Sequence, residues 1–392
     1  MIYFDNAAST PLHPKALEAM MPYLTDRFGN ASATYSLARQ AQRAIDDARR
    51  STAAVLNCRP SDIVFVSGGT ESVNTALKGV AFAQKKARAG NHVVTTEVEH
   101  HAVLHTCNYL DQFGFEVSYV QPDRQGLVDP DDVARAITDR TVLVSVMLAN
   151  NEVGTIEPVQ EVARVVAERG RALRRRIPVH TDAVQAPGLL PLDIDALGVD
   201  LLSLSGHKFG GPKGTGVLYM RRGTPFVSQM AGGGQERQRR AGTENVAGIV
   251  GQAVALRLAE EGRPEHAAAC LQLRNAIVDG IQKLAPDSRL NGHPTSRLAN
   301  NANISFRGIR GDELVAALDR AGIAASAGAA CGSSTWEPSH VLLAMGLSMA
   351  AAVGSLRLTV SADNTAAEVD ELLAALPSIL SALRRPEPAS AR

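Results

Sequence analysis

Short apolar runs, separated by helix-like stretches, dominate the chain between about residues 13 and 258 and limit the folds that it can adopt. Several of these runs are apolar throughout instead of alternating with polar residues, which predicts strands covered on both faces. Helices between such strands indicate a large α/β domain built on a mostly parallel sheet. The predicted strands are 63–66, 92–95, 115–120, 141–146, 178–181, 200–203 and 216–220.

A smaller α+β domain is predicted from the rest of the chain. Its patterns are a long helix-like stretch at about 243–284, strand-like runs at 303–306 and 355–360, and helix-like stretches at 312–321 and 366–383. We therefore assign residues 13–258 to the large domain, and residues 1–12 together with 259–392 to the small domain.

The charge balance and the cysteine spacing set limits on partners and location. Forty basic side chains offset forty acidic ones, so no net charge draws the chain to nucleic acid or to an anionic membrane. No apolar run approaches the ~18 residues that span a bilayer, and the first residues lack the pattern of a secretory signal. The four cysteines form no CxxC pair, which is typical of a reducing compartment. We expect a soluble cytoplasmic protein.

Polar residues after two predicted strands suggest a cofactor. Lys208 closes the sequence SGHK after the apolar run 199–204, and Asp182 ends another β-rich run. A lysine at the end of a buried strand can lose its proton and attack an aldehyde, and the polar groups beside it can hold a phosphate. Pyridoxal 5′-phosphate (PLP) requires such a lysine, together with an acid that keeps its pyridine nitrogen protonated.

Three further features allow either a binding role or a structural one. The glycine-rich turn 67–72, with Gly69 and Thr70, could hold a phosphate at a helix N-terminus, or Thr70 could simply cap the helix. His100, at the start of a predicted helix, could stack on a planar ring and move protons, or could be a capping or surface histidine. Asn151, one of two adjacent asparagines at a strand end, could bond a phenolate or a carboxylate, or could shape a turn.

Three residues in the second half of the chain are further candidates. Arg357 lies within an apolar strand and needs a partner, which could be a substrate carboxylate or a structural carboxylate. Thr243 follows a basic, glycine-rich loop that could be an exposed connector or could reach a second subunit. Cys331 lies in the small-residue run 324–334, where we expect an accessible thiol that can act as a nucleophile or sulfur carrier. The other three cysteines, Cys58, Cys107 and Cys270, are expected to be inert.

Metal and nucleotide sites are not indicated by the sequence. His101 and His105 would share a helix face, but there is no HExxH pattern and no other histidine completes a zinc site. The glycines after Lys208 have P-loop spacing, but Pro212 stands where the lysine is required. We expect no metal and no nucleotide.

Taken as an ordered set, the motifs resemble those of the NifS-like cysteine desulfurases, which are class-V PLP enzymes of fold type I. The motifs are SGGTES, EVEHHAV, ANNEVGT, HTDAVQ, SGHKFGGPKG, GGGQER, RAGT and AGAACGSS, and the resemblance extends from Tyr3 to about Leu383. It implies a homodimer in which a large, mostly parallel sheet domain binds PLP and a smaller α+β domain carries Cys331.

The resemblance also implies a role for each candidate residue. Lys208 would form the covalent imine with PLP, and Lys208 or His100 would move protons. The other cofactor contacts would be Asp182 at the ring nitrogen, His100 on the ring face, Gln185 and Asn151 at the phenolate oxygen, Gly69, Thr70, Ser205 and His207 at the phosphate, and Thr243 from the partner subunit. Arg357 and Asn151 would bind the substrate, and Cys331 would accept its sulfur.

The implied reaction converts L-cysteine to L-alanine and leaves a persulfide on Cys331, from which a sulfur-acceptor protein takes the sulfur. The receiving pathway stays open between iron–sulfur cluster assembly, tRNA thiolation and DNA phosphorothioation. A lyase or selenocysteine lyase that does not need Cys331, and a non-catalytic scaffold, are the alternatives. The chain departs from the common pattern at Tyr35, Trp336 and Ala362, where histidine, leucine and arginine are usual.

Overall fold

The computed structural model describes residues 1–327 and 338–384, and its largest feature is a seven-stranded sheet. The strands are β2 Ile63–Val66, β3 His92–Thr96, β4 Glu116–Val120, β5 Thr141–Ser145, β6 Val179–Asp182, β7 Leu201–Ser205 and β8 Gly216–Met220. Their order across the sheet is β2-β8-β7-β6-β5-β3-β4. β8 runs antiparallel to both of its neighbours, and the other pairs are parallel.

The burial of these strands follows from their sequences. Every residue of β2, β3, β5, β6, β7 and β8 is buried, whereas most of the edge strand β4 is at least partly exposed. Helices cover both faces, so the predicted large, mostly parallel sheet is confirmed.

Helices separate successive strands from β2 to β7, and further helices lie before β2 and after β8. They are Pro14–Leu24, Ser36–Val55, Gly69–Lys86, His101–Asp111, Pro130–Ala136, Val159–Ala172, Ile194–Leu197, Gln235–Gln238 and Val246–Glu261. The prediction of one continuous helix over 243–284 is wrong. The first helix ends at Glu261, and a second helix, Arg263–Leu284, begins after Gly262. No helix among the described residues is both long and apolar enough to cross a membrane.

A four-stranded antiparallel sheet forms the second part of the fold. Its strands, in the order β12-β13-β10-β9, are β9 Arg289–Asn291, β10 Asn301–Ser305, β12 Ser326–Ala327 and β13 Ser355–Thr359. The helices around it are Arg263–Leu284, Gly311–Arg320, His340–Ala344, Met349–Val353 and Ala366–Leu383. A short strand β1, Ile2–Tyr3, pairs in parallel with β11, Ile323–Ala324.

We propose that the domain boundaries lie where the sequence analysis put them, at residues 13–258 and at 1–12 with 259–392. One apolar core joins Ile2 and Phe4 to side chains between Cys270 and Leu380. Two other cores lie around the seven-stranded sheet, and one of them also includes small-domain side chains between Val341 and Ala352. Each domain thus has a core of its own.

Residues 5–10 connect the two parts of the molecule. Asp5 forms a parallel bridge with Thr359 of β13, and Thr359 N donates to Phe4 O at 2.7 Å. Five residues later, Thr10 N donates to His207 O at 2.8 Å. This segment therefore crosses from the small sheet to the carboxyl end of β7, where the candidate site lies.

Candidate active site

A cavity of about 390 Å³ lies where the carboxyl ends of β6 and β7 meet the start of the helix Gly69–Lys86. It brings together most of the residues that the sequence analysis selected: Gly69, Thr70, His100, Asn151, Asp182, Gln185, Ser205, His207, Lys208 and Arg357. Positions far apart along the chain therefore converge on one space, as expected at the carboxyl ends of parallel strands.

Lys208 lies in a 3₁₀ turn, Gly206–Lys208, that directly follows β7. Its Nζ donates hydrogen bonds to the backbone carbonyls of Ala7 and, at 3.0 Å, Ala8. Burial lowers the pKa of Lys208 to about 8, with a further contribution from the charge of Arg357 and opposition from nearby carboxylates. This amine can therefore be neutral, and nucleophilic, close to physiological pH.

Asp182 is the last residue of β6 and is almost fully buried. Its Oδ1 accepts a hydrogen bond from Val184 N at 3.0 Å, and Oδ2 accepts none from the described residues. Burial raises the pKa of Asp182 to about 6, although the Val184 hydrogen bond and the charge of Lys208 act against this shift. A cationic partner for Oδ2 would hold this carboxyl in its ionised form.

The start of the helix Gly69–Lys86 forms a polar cradle beside Ser205. An added Cβ at Gly69 would lie 2.9 Å from Val184 Cγ2, so only glycine leaves this space open. The N-cap is Gly68, which means that the alternative in which Thr70 caps the helix is wrong. Backbone N–H groups at the N-terminus of this helix of 18 residues favour an anion.

His207 completes the cradle. Its Nδ1 lies 3.3 Å from Ser9 Oγ, and burial together with the charges of Lys208 and Lys213 lowers the pKa of His207 to about 4. The ring is therefore neutral at physiological pH and can offer one N–H group to an anion.

His100 caps a helix and also lines the cavity, whereas its predicted stacking on a planar ring stays a prediction. Its Nδ1 caps the helix His101–Asp111 by accepting from Ala102 N at 3.0 Å, while the side chain also lines the cavity. Burial, followed by the charges of Lys208 and of neighbouring histidines, lowers the pKa of His100 to about 4. Because Nδ1 is an acceptor, the proton of the neutral ring lies on Nε2.

Arg357 projects from β13 and makes a charged contact as well as a polar one. Its Nη2 lies 2.7 Å from Asp5 Oδ1, and its Nη1 donates to Asn151 O at 3.0 Å. Nε is buried and has no partner among the described residues. A structural salt bridge therefore exists, and each terminal nitrogen keeps a second N–H group that the described residues do not use.

The two adjacent asparagines differ in their surroundings. The side chain of Asn150 is buried: its amide donates to Val98 O at 2.9 Å, and its oxygen accepts from Glu152 N at 2.8 Å. Asn151 instead lines the cavity. Asn150 therefore shapes the turn and leaves Asn151 for a ligand. Gln185, another residue that lines the cavity, donates to Ala7 O at 3.1 Å.

Thr243 does not line the cavity of its own chain. It lies in a separate cavity of about 110 Å³ with Ser67 and Glu236. The loop before it is held by two ion pairs: Arg240 with Glu71 at 2.9 Å, and the buried Arg49 with Glu236 at 2.6 Å. Contact of Thr243 with the cofactor of a partner subunit stays a prediction.

Cys331, the predicted sulfur acceptor, lies outside the described residues. The described residues on both sides of it, Ala327 and His340, line the cavity. Burial raises the pKa of each of the three other thiols, Cys58, Cys107 and Cys270, to about 12. These thiols are therefore protonated at physiological pH, as expected for inert cysteines.

The structure adds site residues that sequence reasoning missed. The carbonyls of Ala7 and Ala8, the carboxylate of Asp5 and the side chains of Glu152 and His340 all lie at or beside the cavity. Glu152 falls within the motif ANNEVGT, which was its only sign in the sequence, and Asp5 lies outside all of the motifs that pointed to the family. No cluster of potential metal ligands occurs among the described residues.

Comparison with known proteins places the chain among enzymes of one family. The profile of the family described as aminotransferase class-V matches residues 2–372. A cysteine desulfurase IscS from Methanosarcina thermophila is 48% identical over 387 residues, covering 99% of this chain and 94% of that protein. An IscS-like cysteine desulfurase from Mycobacterium tuberculosis is 45% identical over 390 residues, covering 98% of each.

Solved structures agree with this placement. A NifS-like protein superposes with a TM-score of 0.91 and 39% identity, covering 97% of this chain and 100% of that one. A structure described as SspA in complex with cysteine superposes with a TM-score of 0.79 and 36% identity, covering 93% of this chain and 100% of that one. The fold is therefore that of the NifS-like enzymes, fold type I.

Proposed function

The chain belongs to the class-V aminotransferase family, and from this premise we propose that it is a PLP-dependent cysteine desulfurase. It removes sulfur from L-cysteine, releases L-alanine and keeps the sulfur as a persulfide on Cys331. The observation that carries the proposal is the convergence of Lys208, Asp182 and Arg357 on one cavity. A reactive amine, a buried acid and a buried guanidinium are the groups that a PLP enzyme acting on an amino acid needs.

The residues present in the cavity fit PLP. Asp182 is a buried carboxyl whose Oδ2 has no donor among the described residues, and a protonated ring nitrogen would supply one. The space kept open by Gly69, at a helix N-terminus, suits a phosphate group. The remaining contacts would come from Thr70, Ser205 and His207 at the phosphate, from Gln185 and Asn151 at the phenolate oxygen, from His100 on the ring face and from Lys208 as the covalent link.

PLP, when bound, supplies an electron sink that weakens bonds next to the amino group of the substrate. The protein contributes proton transfer at two atoms. Lys208 Nζ can release and take up a proton near neutral pH because its pKa is lowered to about 8. His100 Nε2 can donate its proton, since Nδ1 is already occupied by Ala102 N. Arg357 and Asn151 bind and orient the substrate carboxylate.

The sulfur is transferred to Cys331. The carbon–sulfur bond of L-cysteine breaks, a sulfur–sulfur bond forms on Cys331, and protons return to carbon and sulfur, so the products are L-alanine and a persulfide without any external oxidant. Ala327, which precedes Cys331 by four positions in the sequence, lines the cavity.

We extend the proposal to a cytoplasmic homodimer that passes sulfur to an acceptor protein. Thr243 lies outside the cavity of its own chain, which supports a role at the cavity of a partner. Large apolar side chains are also exposed along the helix Pro14–Leu24 and just after it, at Leu17, Met21, Leu24 and Phe28. Such a patch is typical of a protein interface.

Turnover of L-cysteine tests the proposal. Purified protein loaded with PLP should release L-alanine, and Lys208→Ala should abolish this release. Cys331→Ser should prevent persulfide formation, detected by mass spectrometry, whereas the matched control Cys58→Ser should retain it. Alanine release at an unchanged rate in Cys331→Ser would show that the enzyme is a lyase. No PLP binding by the wild-type protein would support a non-catalytic scaffold instead.

A further inference from the structure

We infer that Asp5 is a positioning residue that orients the Arg357 guanidinium towards the carboxylate of the substrate, an inference that rests on the proposed function. Asp5 Oδ1 holds Nη2 at 2.7 Å, and Asn151 O holds Nη1 at 3.0 Å. A guanidinium is planar and has five N–H groups in fixed directions. Because both terminal nitrogens are held, the directions of the remaining N–H groups, including Nε–H, are also fixed.

The backbone of Asp5 is held firmly enough to act as such an anchor. Asp5 pairs with Thr359 of β13, the same strand that carries Arg357. Its carbonyl accepts from Tyr3 Oη at 3.1 Å and from Ala8 N at 2.9 Å, and the side chain of Phe4 beside it is fully buried. Asp5 and Arg357 therefore form one unit built on the small sheet.

The second anchor, Asn151 O, belongs to a loop that the small domain also holds in place. The next carbonyls accept hydrogen bonds from the same domain: Glu152 O from Asn303 at 3.1 Å, Val153 O from Arg297 at 2.8 Å and Gly154 O from Leu298 N at 2.8 Å. With the contact of Arg357, four successive carbonyls are fixed. The guanidinium thus lies between two rigid supports.

Charge explains why the first support is an aspartate. The side chain of Arg357 is 10% exposed, and a buried guanidinium without an anion is unfavourable. Asp5 neutralises it while the cavity holds no substrate. Two of the five N–H groups are used by Asp5 and Asn151, and Nε–H is enclosed in the protein, which leaves the second N–H group of each terminal nitrogen for an incoming carboxylate. Asp5 therefore keeps Arg357 in place without occupying its whole binding surface.

Two ligands separate positioning of Arg357 from a general structural role. L-Alanine carries the carboxylate that Arg357 would bind, and ethylamine is the same molecule with hydrogen in place of the carboxylate. Calorimetry on the PLP-loaded protein gives both affinities without turnover. We expect Asp5→Ala to weaken L-alanine binding about tenfold and to leave ethylamine binding unchanged. Asp5→Asn, which keeps an oxygen acceptor, should recover part of the loss.

The controls make the outcome specific. Asp319→Ala removes an exposed carboxylate of the same domain, and it should change neither affinity. In an Arg357→Ala background, Asp5→Ala should have no further effect on L-alanine, because residues that act through one another are not additive. Tighter L-alanine binding by Asp5→Ala would show that Asp5 competes with the substrate and would overturn the inference.

An equal loss of affinity for both ligands would also overturn the inference, because Asp5 would then have a general structural role. No loss of affinity for either ligand would overturn it as well, because Asp5 would then have no effect on binding. Failure of the proposed function gives a different result, namely no alanine from L-cysteine with the wild-type protein. The two failures are therefore read from separate measurements.

Discussion

The buried ion pair between Arg49 and Glu236 should control how easily the loop before Thr243 opens. Glu236 Oε1 and Oε2 accept from Arg49 at 2.6 and 2.8 Å, and Oε2 also accepts from Phe65 N at 3.0 Å. The two side chains are only 6% and 3% exposed. Glu236, Arg237 and Gln238 all have positive φ angles, which are unfavourable for residues with a Cβ. The ion pair therefore opposes the opening of the loop, which would otherwise relieve this backbone strain.

Glu236→Ala leaves Arg49 buried without its anion, a change that costs about 3 kcal/mol or more. At 1.4 kcal/mol for each factor of ten, the open population of the loop should rise roughly 150-fold. Trypsin measures this population, because cleavage after Arg237 or Arg239 requires local opening and its rate follows the opening equilibrium. Mass spectrometry of the fragments identifies the sites that are cut.

Two controls define the result. Glu71→Gln breaks the partly exposed pair with Arg240, and it should accelerate cleavage only about fivefold, because such a pair contributes about 1 kcal/mol. Arg49→Met combined with Glu236→Gln removes both charges and keeps an acceptor for Phe65 N, so cleavage should return to within about tenfold of the wild type. The reasoning is refuted if Glu236→Ala is cut no faster than Glu71→Gln, or if cleavage rises equally at all sites.

Three further changes test the cavity. Lys208→Met should stabilise the PLP-free protein at pH 7 by up to about 3 kcal/mol in urea unfolding, because a lysine pKa lowered from 10.5 to about 8 disfavours the charged form in the folded state. The folded wild type binds fewer protons than the unfolded chain between these values, so this advantage should shrink as the pH rises from about 8 to 10.5; a constant difference contradicts it. Gly69→Val should weaken PLP binding at least tenfold in an absorbance titration, with Gly262→Ala, where the nearest atom to an added Cβ is 3.5 Å away, as an unaffected control. Asp182→Asn should lower the rate of alanine release at least about 100-fold, since the ring nitrogen loses its anionic partner; a rate near that of the wild type excludes this role.

The strands of the large sheet could be predicted because burial on both faces leaves a continuous apolar run. The runs 63–66 and 216–220 coincide with β2 and β8. The direction of β8 was not predicted, since strand composition does not encode it. The connection between Ser205 and Gly216 is nevertheless shorter than the dozen residues that a parallel crossover requires. Its length was therefore the available signal that β8 runs antiparallel to β7.

The helix break at Gly262 was missed because apolar periodicity continues on both sides of it. Pro264, in the first turn of the second helix, was the available signal.

The candidate site could be predicted only at residues whose side chain, by its residue type, carries the relevant chemistry. Lys208, Asp182 and Arg357 are charged residues in apolar strands or at their ends, which makes them conspicuous. The contacts of Ala7 and Ala8 with Lys208 use backbone carbonyls, which every residue has. The pair of Asp5 with Arg357 joins positions 352 residues apart, a separation at which local pattern carries no information.

The pairing of Asp5 with Thr359 has a consequence for biosynthesis. Residues 2–8 leave the ribosome long before β13 is translated, and at about 5–20 residues per second the interval is roughly 20 to 70 s. During this time β1 lacks β11, and Phe4 lacks the core that buries it. The nascent chain therefore exposes a short, unpaired apolar strand until almost all of the chain has been translated. Binding of a chaperone to this segment during translation should increase the yield of active protein.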